Sequence, residues 1–151
     1  MIQRIQSVFL LLAATCMSFS FLPSFDYAAS SDAQIMTTPL FKDSVFNTFD
    51  NIALMVMTGI TSLLIFINIF LFKNRTLQLL LVKILIFLIF ALIISAGIIF
   101  YLNFNTQLEE IARIQVRLGT FIPFIVIVLL YFTSNYIKKD ISIVKSMDRL
   151  R

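Results

Sequence analysis

Four stretches of this chain contain no Asp, Glu, Lys or Arg: Ile5 to Phe25, Asn51 to Phe72, Ile84 to Leu108 and Leu118 to Ile137. A charge at the centre of a bilayer costs at least about 2.5 kcal/mol on insertion scales, so such gaps mark where a chain can lie in hydrocarbon. Each holds 20 residues or more. That is the length needed to cross about 30 Å at 1.5 Å per helical residue. The polarity of Ser24, Asn103, Asn105, Thr106 and Gln107 trims two of them. The expected spans are 5–22, 51–72, 80–103 and 118–137, with outer loops at 23–50 and 104–117, a cytoplasmic loop at 73–79 and a tail at 138–151.

Composition agrees with lipid as the solvent. Of 151 residues 60% are apolar and 13% charged, and the mean hydropathy is +0.97. Soluble domains hold about 45–50% and 25%. Seventeen Phe with only three Gly and three Pro leave little material for a separate globular unit. The fold expected is therefore all-α and single-domain: a polytopic membrane protein whose four-helix transmembrane bundle continues into a cytoplasmic amphipathic C-terminal helix. A cleaved signal peptide is the competing reading of the first span, with Tyr27-Ala28-Ala29 as the cleavage site. The run from Ile5 to Leu22 is longer than the usual 7–15-residue core of a signal peptide, roughly, and favours an uncleaved helix. A lipoprotein signal at Cys16 is disfavoured because Thr15 stands where a small residue should precede the lipidated cysteine.

Cutting the chain at the spans separates two sets of segments with different charge. One set holds Arg4, then Lys73, Arg75 and Lys83, then Lys138, Lys139, Lys145, Arg149 and Arg151, nine basic residues against Asp140 and Asp148. The other holds Lys42, Arg113 and Arg117, three basic residues against Asp26, Asp32, Asp43, Asp50, Glu109 and Glu110. The positive-inside rule assigns the first set, and with it both termini, to the cytoplasm of a bacterial inner membrane. Lys83 is read as a residue of the third helix's first turns, its stem in lipid and its ammonium snorkelling to the headgroups. The net charge of +4 then reflects orientation, and nucleic acid is not an expected partner.

Catalytic material is sparse. There is no His, no cysteine pair, no Gly-rich phosphate loop and no acidic pair within a span, so no enzyme activity, metal or cofactor is expected. Glu109 and Glu110 are adjacent and would point about 100° apart on a helix, each pairing more simply with Arg113. Small residues four apart, Ala14 with Ser18, Thr58 with Ser62 and Ala91 with Ser95, mark strips where helices can approach closely in lipid. With Asn68, an interhelical hydrogen-bonding candidate, they are the expected packing residues. Phe41, Val45, Phe46 and Phe49 recur at helical spacing, which predicts a short interfacial helix before the second span. In the tail, Ile137, Ile141, Val144 and Met147 or Asp148 follow helical spacing while Lys138, Lys139, Ser142, Lys145 and Arg149 cover the remaining surface. Such a basic amphipathic helix suits anionic headgroups or a protein partner.

The opening Met1-Ile2-Gln3-Arg4-Ile5-Gln6 before Leu10-Leu11-Leu12-Ala13-Ala14, and the closing Lys138-Lys139-Asp140 and Val144-Lys145-Ser146-Met147-Asp148-Arg149-Leu150-Arg151, resemble the ends of a four-span membrane family of the Bacteroidota classed as a domain of unknown function. Gly119, Pro123 and Asn135 fit the same family's last helix. The resemblance implies four spans, an uncleaved first helix and an inner-membrane location, and carries no activity. Candidate contacts to a partner or to lipid are Gln3, Arg4, Gln6, Lys138, Lys139, Lys145, Asp148, Arg149 and Arg151, gathered on one cytoplasmic face. Three functional classes stay open: an accessory subunit or assembly factor of a larger membrane complex, a small oligomeric transporter or channel, and a membrane enzyme acting on lipid.

Overall fold

The structure is a computed structural model that describes residues 2–31, 39–104 and 114–148. The expected pairing of Glu109 and Glu110 with Arg113, and the tail residues Arg149 and Arg151, lie outside the described residues, as do the side chains of Gln3, Arg4, Lys145 and Asp148. Among the described residues the chain forms four α-helices: α1 (Ile2–Phe19), α2 (Ile52–Phe70), α3 (Arg75–Phe104) and α4 (Ile122–Asp148). Local chemistry accounts for their ends. Asn51 caps α2 by accepting the Ala53 backbone N–H at 2.8 Å, which satisfies one of the donors a helix start leaves free. α2 closes through a 3₁₀ turn, Leu71–Lys73, and only Asn74 separates that turn from α3. Residues 75–79, read from sequence as loop, are thus the first turns of α3. α4 is entered through the 3₁₀ turn Leu118–Phe121, and Pro123 sits in its first turn, where the missing donor costs nothing.

Each helix buries a stripe that repeats every 3.5 residues. In α1 it is Gln6, Leu10, Ala13, Met17 and the following Ser20; in α2, Leu54, Thr58, Thr61, Ile65 and Asn68. In α3 it is Gln78, Val82, Leu85, Ile89 and Leu92, and in α4, Val126, Leu130, Thr133, Ile137 and Asp140. This four-three spacing is the seam of a left-handed helical bundle. Accordingly α1 packs on α2 and α4, and α3 packs on the same two, closing a ring with α1 opposite α3. The outward faces are apolar as well: Phe87 is 72% exposed, and Ile60, Phe66, Ile94 and Val128 point away from the core. Water would not tolerate so continuous an apolar surface. Three segments, Ile52–Lys73, Arg75–Asn103 and Leu118–Val144, are long and apolar enough to cross a membrane, while the apolar part of α1, Ile5–Phe19, is shorter.

The expectation of a purely helical fold needs one correction. Strands β1 (Ala28–Ala29), β2 (Val45–Phe46) and β3 (Gln115–Val116) form an antiparallel sheet in the order β2-β1-β3, joining the α1–α2 connection to the α3–α4 connection. The interfacial helix expected over Phe41 to Phe49 is not formed. Pro39–Phe41 make a 3₁₀ turn, Ser44 adopts a φ of 65°, and Val45–Phe46 extend as β2. A left-handed residue cannot continue a helix. The apolar spacing instead serves a second, smaller core in which Tyr27, Ala28, Leu40, Phe41 and Phe46 cluster with Leu54 of α2.

Candidate functional site

At one end of the bundle the last core position of every helix is polar: Gln6 of α1, Asn68 of α2, Gln78 of α3 and Asp140 of α4 are all buried. The Gln78 Nε2 donates to the Asn68 backbone carbonyl at 3.3 Å. Among the described residues neither the Gln6 Nε2 nor the Asn68 side-chain amide finds a hydrogen-bond partner. Asp140 is held by Arg75, whose Nη1 lies 2.9 Å from the Asp140 Oδ2, with the two side chains only 24% and 11% exposed. Arg75 opens α3, so its cation stands at the positive end of the helix dipole, an unfavourable place. The Asp140 carboxylate offsets both that and the cost of burial, and it staples α3 to α4 at this level.

Beside the ion pair lies a groove of about 500 Å³, lined by Lys73, Asn74, Arg75, Thr76 and Leu77 from the α2–α3 turn and by Ile141 and Val144 from α4. It exists because α4 outlasts its neighbours. Its 27 residues extend about 40 Å at 1.5 Å per residue, some 10 Å more than hydrocarbon needs. Lys138, Lys139 and Ser142 are exposed on this extension. Arg75 belongs to both the ion pair and the groove, so the electrostatics of the buried layer and of the surface are coupled through one guanidinium.

The candidates from sequence divide here. Gln6, expected as a surface contact, is buried at 4% exposure because it occupies a core position of the 3.5-residue seam, and it cannot touch an outside partner. Among the small residues, the Ser18 and Ser62 hydroxyls meet at 3.0 Å between α1 and α2. Ser95 hydrogen-bonds the Leu92 carbonyl at 2.8 Å and contacts the Met57 sulfur. Ala14 and Thr58 are buried and Ala91 is half-buried. The Ser18–Ser62 and Ser95–Met57 contacts thus join helices of the same chain. Lys83 is exposed on α3, away from the core.

The opposite end is built around the Tyr27 carbonyl, which accepts the Arg117 backbone N–H at 3.0 Å and the Thr120 hydroxyl at 2.5 Å. The Gly119 N–H donates to the Asp26 carbonyl at 3.0 Å. The Tyr27 and Thr48 hydroxyls lie 3.0 Å apart, and Thr48 donates onward to the Ser20 carbonyl at 2.8 Å. Burial raises the Asp26 carboxyl above its ordinary range, with Arg117 pulling the other way. Asp50 is raised too, by burial first and by Asp43 and Asp26 nearby, against the Asn47 backbone N–H that it accepts at 2.5 Å.

A protein-family model matches this chain over residues 2–150. The chain belongs to the DUF4293 family, a domain of unknown function. No curated protein and no solved structure matches it. The family read from the two ends of the sequence is thereby shown, and the DUF4293 match spans the polar end and the sheet end alike. What sequence reasoning missed in this DUF4293 chain is the Arg75–Asp140 pair, since Arg75 entered only in a charge count and Asp140 only there and in the closing motif. The available signal was that Asp140 is an isolated acid among Lys138, Lys139 and Lys145.

Proposed function

We propose that the chain is a four-span protein of the inner membrane of Bacteroidota, with both ends in the cytoplasm, and that it is a non-enzymatic accessory subunit or assembly factor of a larger membrane complex. The observation that carries this reading is the groove between the α2–α3 turn and the α4 extension, which sets Lys73 and Arg75 beside Leu77, Ile141 and Val144. A mixed basic and apolar trough at the end of a bundle suits an acidic, amphipathic segment of a partner or a juxtamembrane helix. Lys138 and Lys139 extend the same positive field and add attraction to anionic headgroups. Two further facts support four spans: nine basic residues against three segregate to this side, and α1 occupies a full place in the helix ring despite its shorter apolar stretch. The transporter reading is less well supported. Between the polar layer and the sheet end the described core is filled by Leu10, Met17, Leu85, Ile89, Val126 and Leu130. The Thr61 and Thr133 hydroxyls there are tied to their own helices, by bonds of 2.7 and 2.8 Å to the Met57 and Leu129 carbonyls.

The test is purification of the tagged full-length protein from its own membranes in a mild detergent, beside a variant carrying Lys73→Glu and Val144→Glu. A foreign membrane subunit in stoichiometric amount, lost from the variant while helicity is retained, is the expected result. Recovery of only further copies of the same chain would replace this reading with the oligomeric one. A foreign subunit that stays bound to the variant would move the contact away from the groove.

A further inference from the structure

We infer that the sheet end of the molecule binds an anionic phospholipid, one acyl chain lying beneath the sheet and the phosphate held at Arg117. The inference rests on the membrane-spanning reading and is independent of the groove at the other end.

Successive residues of a strand point to opposite faces. In this sheet the register is Ala28 against Phe46 and Val116, and Ala29 against Val45 and Gln115. The first trio roofs a cavity of about 310 Å³, walled by Gly97, Phe100 and Phe124 from α3 and the start of α4. That volume is within the range of about 300–1,000 Å³ typical of ligand pockets. Its two polar lining groups are already engaged, the Thr120 hydroxyl with the Tyr27 carbonyl and the Tyr27 hydroxyl with Thr48. A polar ligand would find nothing to bond there, whereas an alkyl chain loses nothing by entering. Gly97 leaves the cavity unobstructed, since a Cβ at that position meets nothing within 4 Å. The cavity lies between α3 and α4, whose neighbouring residues Ile98 and Phe124 are half exposed. A chain can therefore enter sideways from lipid.

The other face of the sheet carries Gln115 and lies beside Arg117. Ala29, Val45 and Gln115 border a smaller basin of about 230 Å³ shared with Ser44 and Arg117. β3 is an edge strand of the sheet, on the side away from β2. Val116 thus meets the acyl cavity while its neighbour Arg117 faces the basin, so an amphiphile passing around this edge touches both. Among the described residues the Arg117 guanidinium forms no ion pair within 4 Å, although Asp26 lies near enough to feel its charge. An exposed guanidinium beside an apolar slot recognises a phosphate with an attached chain.

The chain contains no Trp, so a Phe124→Trp substitution places a single fluorophore in the cavity wall. A Phe87→Trp protein, with its probe on an open lipid-facing surface, serves as reference. Both are reconstituted into vesicles containing phosphatidylglycerol and phosphatidylcholine, with one lipid at a time brominated along its chains. Phe124→Trp is expected to be quenched by brominated phosphatidylglycerol with about fivefold preference over brominated phosphatidylcholine, the effect of one basic residue at an anionic site. Phe87→Trp shows no preference. Adding Arg117→Gln removes the preference, and adding Gly97→Leu, which fills the cavity, lowers quenching of Phe124→Trp by both lipids. Equal quenching by the two lipids, or a preference that survives Arg117→Gln, overturns the inference. Absence of any quenching at Phe87→Trp overturns the membrane-spanning reading itself and the lipid site with it.

Discussion

Gly119 has no room for a side chain. A Cβ there would fall on the backbone carbonyls of Phe25 and Asp26, and backbone, unlike a flexible side chain, cannot step aside. Gly119→Ala is therefore expected to lower stability by about 1–3 kcal/mol, the range for forced overpacking, as read from thermal melts in detergent. Gly97→Ala gives the internal contrast. It meets open space and removes a helix-interior glycine, so it should be neutral or stabilising by up to about 1 kcal/mol. A comparable melting point for the two variants would mean that the close approach at Gly119 is not maintained in the folded protein. In the sequence Gly119 stands out through the family resemblance, not through any packing signal. The reason it must be glycine is a contact with residues far away in the chain, which no local pattern encodes.

Among the elements, α3 and α4 pack along their buried seams and are joined at one end by an ion pair. Removing a single partner of a largely buried pair strands the other charge and costs about 3–5 kcal/mol, whereas replacing both by apolar groups is often neutral. Arg75→Leu and Asp140→Leu should each lower the melting temperature markedly, and the double variant should regain most of the loss. Additive losses in this cycle would show that the two side chains do not act as a pair. The helices themselves were legible as long charge-free runs. Their 3.5-residue seams were not. In water a seam stands out because the opposite face is polar, but here Ile60, Phe66, Phe87 and Ile94 are as apolar as the core they turn away from. The telltale positions were the polar ones: Gln6, Asn68, Gln78 and Asp140 each end a stripe. The strands were hidden for a different reason. Two residues are too few for a period of two to show, and the spacing of Phe41, Val45, Phe46 and Phe49 imitated a helix that Ser44 at a φ of 65° interrupts.

For the molecule as a whole, the four-span reading sets the polar end and the sheet end on opposite sides of the membrane. In a Cys16→Ser background, single cysteines at Ser31, exposed at the sheet end, and at Lys138, exposed on α4, test this with a membrane-impermeant maleimide on spheroplasts. Ser31→Cys is expected to label in intact spheroplasts and Lys138→Cys only after lysis. Labelling of both, or of Lys138→Cys alone, before lysis would remove the proposed topology. The arrangement β2-β1-β3 also orders the chain's birth. Tyr27 and its partner Thr120 stand 93 residues apart in sequence, with two of the four helices between them. On the ribosome, β1 and β2 are complete while the strand that covers their remaining edge is still unsynthesised. That edge stays open at the membrane surface until α3 has been delivered and the chain has returned. A chain that stops before β3 leaves one edge of β1 unpaired, whereas in the finished chain β1 is paired on both sides.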